Sequence, residues 1–231
     1  MNINDFKKFC YTEDAPKGDK REIFNCRNSV FCVNDLPVDI LFIGDSITER
    51  FEIYPYFNKY GTVVNRGIGG EKTSELKKRF NLDAINLKPK VCVLAEGVNN
   101  TADLWRKEHG GQKVSEQDVN AVLENFKSDM SEMIDLLISK NIIPVVGSVL
   151  PIGVKDCRNA VIIKENQILK ELCSERGVVF VDYYSALVSE DGITLKDVTF
   201  GDDLHPHVLG YNLMAELLYP VFDKIFNKNG R

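Results

Sequence analysis

The chain has 231 residues, 44% of them hydrophobic and 27% charged, which is enough apolar material for one large domain with a buried core. Its 29 lysines and arginines face 34 aspartates and glutamates, and the net charge of −5 argues against a protein that binds nucleic acid or an anionic membrane. No apolar stretch approaches the length of a membrane span, and residues 1–5 are too polar to begin a signal peptide. We therefore expect a cytoplasmic protein without stable membrane insertion.

The first 37 residues are more polar than the rest and show no clear periodicity. We predict that residues 1–37 form an irregular N-terminal extension packed on a domain that spans residues 38–231.

Within that domain, short apolar runs rich in β-branched residues predict strands. These runs lack the hydrophobic-polar alternation of strands with one buried face, so they predict a parallel sheet covered on both faces. The predicted strands are residues 38–43, 62–65, 90–95, 142–148 and 178–182.

Apolar residues at three- and four-residue steps predict helices between and after these strands, over about residues 117–139, 158–176 and 207–226. Gly177 is placed to end the second helix in a left-handed conformation. Pro220 should bend or interrupt the third, because proline lacks an N–H donor. Residues 101–116, which include Trp105, form the longest stretch without a pattern and are predicted to be a substrate-facing flap.

Polar residues follow the first three predicted strands, and a further polar segment precedes the last helix. In an open parallel sheet, ligands bind beyond the carboxyl ends of the strands, so these segments are expected to meet. The segments are Gly44-Asp45-Ser46, Asn65-Arg66-Gly67-Ile68-Gly69-Gly70, Glu96-Gly97-Val98-Asn99-Asn100 and Gly201-Asp202-Asp203-Leu204-His205.

A serine, a histidine and an aspartate form the residue set that acyl transfer requires. Ser46 is the candidate nucleophile and His205 the candidate general base. Asp202 and Asp203 both lie near enough in sequence to orient the histidine, and the residues alone do not choose between them. Each position also has a structural interpretation: Ser46 would cap the helix that follows it, and His205 would only introduce the last helix.

These segments together resemble the SGNH or GDSL hydrolases, a family recognised by four separate blocks. The resemblance covers roughly residues 38–226, and four blocks are more specific than any single motif. It implies a flavodoxin-like three-layer α/β/α sandwich with five parallel strands in the order 2-1-3-4-5. The matching blocks are Gly44-Asp45-Ser46, the loop ending at Gly70, Gly97-x-Asn99 and Asp202-x-x-His205.

The resemblance also implies a role for each block. Ser46 would be the nucleophile, His205 the base and Asp202 the acid, since the family places the acid three residues before the histidine. The oxyanion hole would consist of the Ser46 and Gly70 main-chain N–H groups and the Asn99 side-chain amide. Taken alone, the glycine pair and the asparagine would be ordinary turn residues.

Three further residues are candidate substrate contacts. Asn100 stands where many relatives carry Asp, which affects a supporting position, and Trp105 lies in the predicted flap. Asp45 is also consistent with a buried supporting role.

We expect no metal and no organic cofactor. The segment from Asp202 to His207 offers four potential ligands, but the sequence has no second histidine cluster and no His-Glu-x-x-His helix to complete a shell. The six cysteines include no Cys-x-x-Cys pair and are expected to be reduced thiols.

The implied reaction is hydrolysis of a carboxylic ester through an acyl-Ser46 intermediate. The glycine-rich second block and Gly97-x-Asn99-Asn100 resemble the acetylhydrolase branch of the family, which implies short acyl groups, such as acetyl on a sugar. Three other functions stay open: a lysophospholipase or thioesterase for longer chains, an O-acetyltransferase, and a non-catalytic binding module. The sequence does not indicate an oligomeric state.

Overall fold

The computed structural model describes residues 19–193 and 196–227. Five parallel strands form a sheet in the order β2-β1-β3-β4-β5, with helices packed on its faces. The predicted three-layer fold and strand order are confirmed. Among the described residues, no helix is both long and apolar enough to cross a lipid bilayer.

The strands are β1 (Ile40–Gly44), β2 (Val63–Gly67), β3 (Val91–Ala95), β4 (Ile143–Gly147) and β5 (Val179–Val181). The helices are α1 (Asp19–Asn34), α2 (Ser46–Glu49), α3 (Ile53–Phe57), α4 (Thr73–Asp83), α5 (Ala102–His109), α6 (Glu116–Ser139), α7 (Cys157–Arg176), α8 (Tyr183–Leu187) and α9 (Val208–Asn227). Short 3₁₀ turns cover Asn58–Tyr60, Ile85–Leu87, Val98–Thr101 and Lys196–Val198.

Strand β1 lies at the centre of the core, and all five of its residues are buried. Its register places Gly44 beside Gly67 of β2 and beside Ala95 of β3. The carboxyl ends of three neighbouring strands therefore lie at one level, and the loops that follow them leave the sheet side by side.

The prediction that the N-terminal segment is irregular was wrong for residues 19–34, which form helix α1. The periodicity was hidden because α1 buries mainly polar side chains: Arg21, Asn25 and Asn28 are buried together with Phe24. Residues 1–18 of the predicted extension lie outside the described residues. The division of the chain at residue 37 stays a prediction.

Two other segments differ from their local predictions. Residues 102–109 of the predicted flap are not irregular but form helix α5, which carries almost no apolar stripe because Leu104 is its one buried residue. The substrate-facing role of this segment stays a prediction. Helix α9 is not interrupted at Pro220, and a bend there stays a prediction. The proline is exposed, while Leu218 and Phe222 on either side of it are fully buried and hold both halves of the helix in the core.

Candidate active site

Ser46 lies at the first turn after β1, where the chain passes very close to β3. A side chain at Gly44 would place its Cβ 1.9 Å from the Ala95 carbonyl oxygen, so only glycine fits there. Asp45 then caps helix α2, because its carboxylate accepts the Ile47 N–H at 2.8 Å. Ser46 is therefore held at the carboxyl edge of the sheet, with 8% of its surface exposed.

His205 joins Ser46 and Asp202 in a continuous hydrogen-bonded chain. His205 Nε2 lies 2.7 Å from Ser46 Oγ, and His205 Nδ1 lies 2.7 Å from Asp202 Oδ2. An ionised carboxylate can only accept, so Nδ1 carries the proton and Nε2 accepts the Ser46 hydroxyl. The structure brings these three predicted residues together.

Asp202, and not Asp203, faces the imidazole. Asp203 has a left-handed backbone with φ of 56°, and its carbonyl accepts the Gly153 N–H at 2.6 Å. Partial burial would raise the pKa of Asp202, but hydrogen bonds from the His205 N–H, the His205 ring and the Leu204 N–H lower it to about 2. Asp202 is thus a carboxylate at any pH near neutrality, with Arg50 Nη1 3.6 Å from it.

The segment of residues 67–71, here called the glycine loop, follows β2 and lies against Ser46. A Cβ on Gly69 would lie 3.3 Å from the Ser46 Cβ. The N–H groups of residues 67–69 all donate within the protein, whereas the Gly70 N–H has no partner among the residues that the structure describes. Gly70 has φ of 82° and open space on its Cβ side. The three acceptors are Asn65 Oδ1 at 2.8 Å, Gly44 O at 2.9 Å and Glu49 Oε2 at 2.6 Å.

Asn99 lies on the 3₁₀ turn after β3, next to the glycine loop. The turn begins at Gly97, where φ is 150° and a Cβ would lie 2.5 Å from a Val149 methyl group. One amide hydrogen of Asn99 Nδ2 is donated to the Glu71 carbonyl at 2.9 Å. The second hydrogen has no partner in the described part of the chain. Within the described ranges, one amide hydrogen of Asn99 and the main-chain N–H of Gly70 therefore have no partner, and they lie on neighbouring segments.

The three candidate substrate contacts lie in different surroundings. Asn100 is buried, and its amide accepts the Thr73 N–H at 3.0 Å and donates to Thr73 Oγ1 at 2.8 Å, so it fixes the start of α4. Asp45 is 2% exposed, which favours a supporting role. The ring of Trp105 contacts His109, with centroids 4.4 Å apart, and the Arg158 guanidinium, on the α7 side of α5.

A fully buried arginine below the site was not anticipated from the sequence. Arg79 Nη2 donates to Gly44 O at 3.2 Å, Nη1 to Arg66 O at 2.9 Å, and Nε to Glu71 Oε2 at 2.6 Å. It therefore ties the ends of β1 and β2 to the glycine loop. The one available signal was its position on the buried side of α4, between Leu76 and Phe80.

Buried carboxyl groups surround this arginine. Burial, together with nearby Asp45 and Glu71, raises the pKa of Glu96 well above its usual value. Burial raises the pKa of Asp45 to about 7, with Glu71 adding to the shift. The buried carboxyl groups of Asp45 and Glu96 thus keep their protons to a higher pH than exposed carboxyl groups do.

The segment from Asp202 to His207 does not gather into a ligand set. Asp202 and His205 bind each other, and His207 Nδ1 accepts the Leu209 N–H at 3.1 Å. Within residues 19–193 and 196–227, the one cluster with metal-ligand geometry consists of Glu108, Asp156 and Cys157, at the junction of α5 and α7.

Comparison with known proteins places the chain in a family. The model of the GDSL-like Lipase/Acylhydrolase family matches residues 42–213, which contain all four blocks. The platelet-activating factor acetylhydrolase IB subunit alpha2 of Homo sapiens is 31% identical over 108 residues, 45% of this chain and 47% of that protein. The chain thus spans about half the length of this relative.

Two further proteins are similar over more of the chain. The acetylxylan esterase of Geobacillus stearothermophilus is 25% identical over 205 residues, covering 76% of this chain and 90% of that enzyme. The crystal structure of a candidate acylhydrolase from Bacteroides fragilis superposes with a TM-score of 0.70 at 25% identity, covering 91% of this chain and all of that one. Because the family model matches most of the chain and includes every block of the site, this protein belongs to the GDSL-like Lipase/Acylhydrolase family.

Proposed function

We propose that the protein is a serine esterase that removes short acyl groups, acetyl above all, from a small-molecule ester such as an acetylated sugar. The observation that carries this proposal is the chain of two 2.7 Å hydrogen bonds from Ser46 through His205 to Asp202. Nearby lie the Gly70 N–H and one hydrogen of the Asn99 amide, neither of which has a partner among the residues that the structure describes. These are the nucleophile, base, acid and oxyanion donors of acyl transfer.

In the proposed reaction, Ser46 Oγ attacks the ester carbonyl carbon while its proton moves to His205 Nε2. The negative charge that develops on the carbonyl oxygen is held by the main-chain N–H groups of Ser46 and Gly70 and the amide of Asn99. Collapse of this intermediate breaks the bond to the alcohol, which takes the proton from His205. Water then attacks the acyl-serine in the same way and releases the acid. Asp202 stays ionised throughout and stabilises the imidazolium.

The names of two relatives support the preference for short acyl groups. The platelet-activating factor acetylhydrolase subunit and the acetylxylan esterase act, by their names, on acetyl esters, and this agrees with the proposal.

An ester with a longer apolar chain is the second candidate. Phe200, Val208 and Leu209 flank the His205 segment and are 53%, 62% and 52% exposed. Where exposed apolar side chains form a contiguous patch beside a site, the patch is typical of a surface that binds an apolar group. A long-chain alcohol or acyl group would cover them.

Two expectations from the sequence stay predictions: the cytoplasmic location of the protein and a reaction that needs no metal.

Initial rates on p-nitrophenyl esters from acetyl to dodecanoyl test the proposal, measured for wild type, Ser46→Ala and the control Ser139→Ala. We expect a preference for short chains, and a loss of about 10⁴-fold or more in kcat for Ser46→Ala. Ser139 is exposed at the end of α6, so its variant should retain wild-type rates. A long-chain optimum would favour the second candidate. Full activity in Ser46→Ala would refute the acyl-serine mechanism, and activity only with an added acceptor would indicate a transferase.

A further inference from the structure

Helix α1 lies outside the residues matched by the family model, yet its buried charges lead directly to the glycine loop. We infer that α1 is a positioning element that holds the glycine loop at its middle and at its far end and so fixes the oxyanion donors. This inference rests on the proposed function, because it concerns the geometry of the same site.

The first connection runs through buried ion pairs. Both terminal nitrogens of Arg21 on α1 donate to the two Asp83 oxygens, at 2.6 and 2.7 Å. Asn28, about two turns further along α1, donates to Asp83 at 2.7 Å. Asp83 also accepts from Arg79 at 3.1 Å, and Arg79 donates to Glu71 at 2.6 Å. Alternating charges thus link α1 to the far end of the glycine loop.

The second connection reaches the middle of the loop. Lys20 on α1 forms an ion pair with Glu49, at the end of the helix that begins with Ser46. Glu49 Oε2 accepts the Gly69 N–H at 2.6 Å. The Gly69 N–H belongs to the peptide unit directly before the one that carries the Gly70 N–H, so this contact restrains the neighbouring peptide and, through it, the position of Gly70.

Burial makes the first connection rigid. Arg79 and Asp83 are fully buried, and Arg21 is 8% exposed. Burial would raise the pKa of Asp83, but Arg21, Arg79 and Asn28 outweigh it and lower the pKa, so the carboxyl group is ionised. Removing one partner from a buried charge network leaves another charge unpaired and forces the remaining groups to move.

Movement of Glu71 would reach two oxyanion donors at once. Its main chain follows Gly70 directly, and its carbonyl accepts the Asn99 amide at 2.9 Å. A misplacement of about 1 Å at such donors lowers rates on the order of 10²-fold. Arg21 and Lys20 therefore act through other residues, as positioning residues.

The test compares Arg21→Gln, Arg21→Lys and Lys20→Ala with wild type in steady-state kinetics on p-nitrophenyl acetate. We expect Arg21→Gln to lower kcat roughly tenfold or more with little change in KM, because the donors act mainly in the transition state. Arg21→Lys should recover part of this loss. Lys20 is half-exposed, so Lys20→Ala should fold normally and lower kcat by a smaller factor of about two to five.

Arg176→Ala is the matched control. Arg176 pairs with Asp135 at 2.7 Å between α6 and α7, so its loss costs stability without touching the glycine loop. We expect a lower melting temperature and an unchanged kcat. The inference is overturned if Arg21→Gln and Lys20→Ala keep wild-type kcat, or if the control lowers kcat as much as they do.

Amide hydrogen exchange over residues 67–71 separates this inference from the proposed function. We expect faster exchange in Arg21→Gln than in wild type and Arg176→Ala, whatever the substrate turns out to be. An inactive wild type with this exchange pattern would refute the esterase proposal but support the positioning role of α1. Unchanged exchange in Arg21→Gln would overturn the positioning role of α1, even if the wild type is an active esterase.

Discussion

Two adjacent asparagines after β3 have different hydrogen-bond partners, and this gives them different tasks. Asn99 donates one amide hydrogen to the Glu71 carbonyl, and its other amide hydrogen has no partner among the described residues. Asn100 uses both ends of its amide on Thr73, with its oxygen accepting the main-chain N–H and its nitrogen donating to the hydroxyl. Asn99 is therefore our proposed oxyanion donor, whereas Asn100 holds the start of α4.

We expect Asn99→Ala and Asn100→Ala to separate activity from stability. Asn99→Ala should lower kcat by about 10²- to 10³-fold, as for loss of one oxyanion donor, with a melting temperature near that of wild type. Asn100→Ala leaves the buried Thr73 N–H unpaired and should cost roughly 1–3 kcal/mol of folding free energy. Kinetics on p-nitrophenyl acetate and thermal unfolding of both variants would check this. Equal losses of kcat in the two variants would contradict it.

The sequence could name the residues of the site but not all their surroundings. Spacing alone left Asp202 and Asp203 equivalent. The family resemblance selected Asp202, and the 2.7 Å contact between His205 Nδ1 and Asp202 Oδ2 agrees with that choice. Arg79 was missed because a charged residue on the buried side of a helix breaks the apolar pattern that predicts burial. Its partners come from three separate segments, so no local signal records them. The roles of Ser46 and His205 remain proposals until activity is measured.

At the scale of elements, segments with a regular apolar pattern were predicted well, whereas segments that bury polar side chains were not. Helices α6 and α7 begin within a residue of the predicted positions. Strand β2 extends two residues beyond its prediction, because the side chains of Asn65 and Arg66 are held by Thr48, Phe51 and Asn28 instead of by apolar packing. Helix α1 was missed for the same reason, since its buried face pairs charges.

The predicted helix end at Gly177 gives a test of a single backbone conformation. Gly177 has φ of 64°, and a Cβ there would meet nothing within 4 Å. Gly177→Ala should therefore cost only the strain of a left-handed residue, about 1–2 kcal/mol. Gly201→Ala is the control, because Gly201 also has open space but not a left-handed backbone. Urea unfolding should show the loss in the first variant alone, and equal stabilities would contradict the assignment.

For the molecule as a whole, buried acids set how stability depends on pH. Burial raises the pKa of Asp45 to about 7 and raises those of Glu96 and Glu165 well above normal. Both carboxyl oxygens of Glu165 lack a partner within the described residues. The folded protein thus holds protons that the unfolded chain releases above about pH 4, so these groups make stability fall as pH rises through their folded pKa values. The lowered pKa of Asp202 affects the free energy of unfolding only in more acidic solution, as the pH falls toward about 2.

We expect the free energy of unfolding to decrease between about pH 5 and pH 8, by up to about 1.4 kcal/mol per pH unit for each retained proton. Glu165→Met keeps a similar side-chain length and removes one such group. Its stability gain over wild type should be small near pH 4 and grow as pH rises, measured by urea unfolding at each pH. A gain that does not vary with pH would show that Glu165 is ionised in the folded state.

Ser46 and His205, the proposed nucleophile and base, lie 159 residues apart in sequence, although their side chains are hydrogen-bonded. At ordinary synthesis rates of about 5–20 residues per second, a ribosome adds His205 roughly 8–32 s after Ser46. During that interval a growing chain carries the serine without the imidazole that would activate it. We expect hydrolytic activity to begin only after the His205 segment has been made and has docked on the sheet.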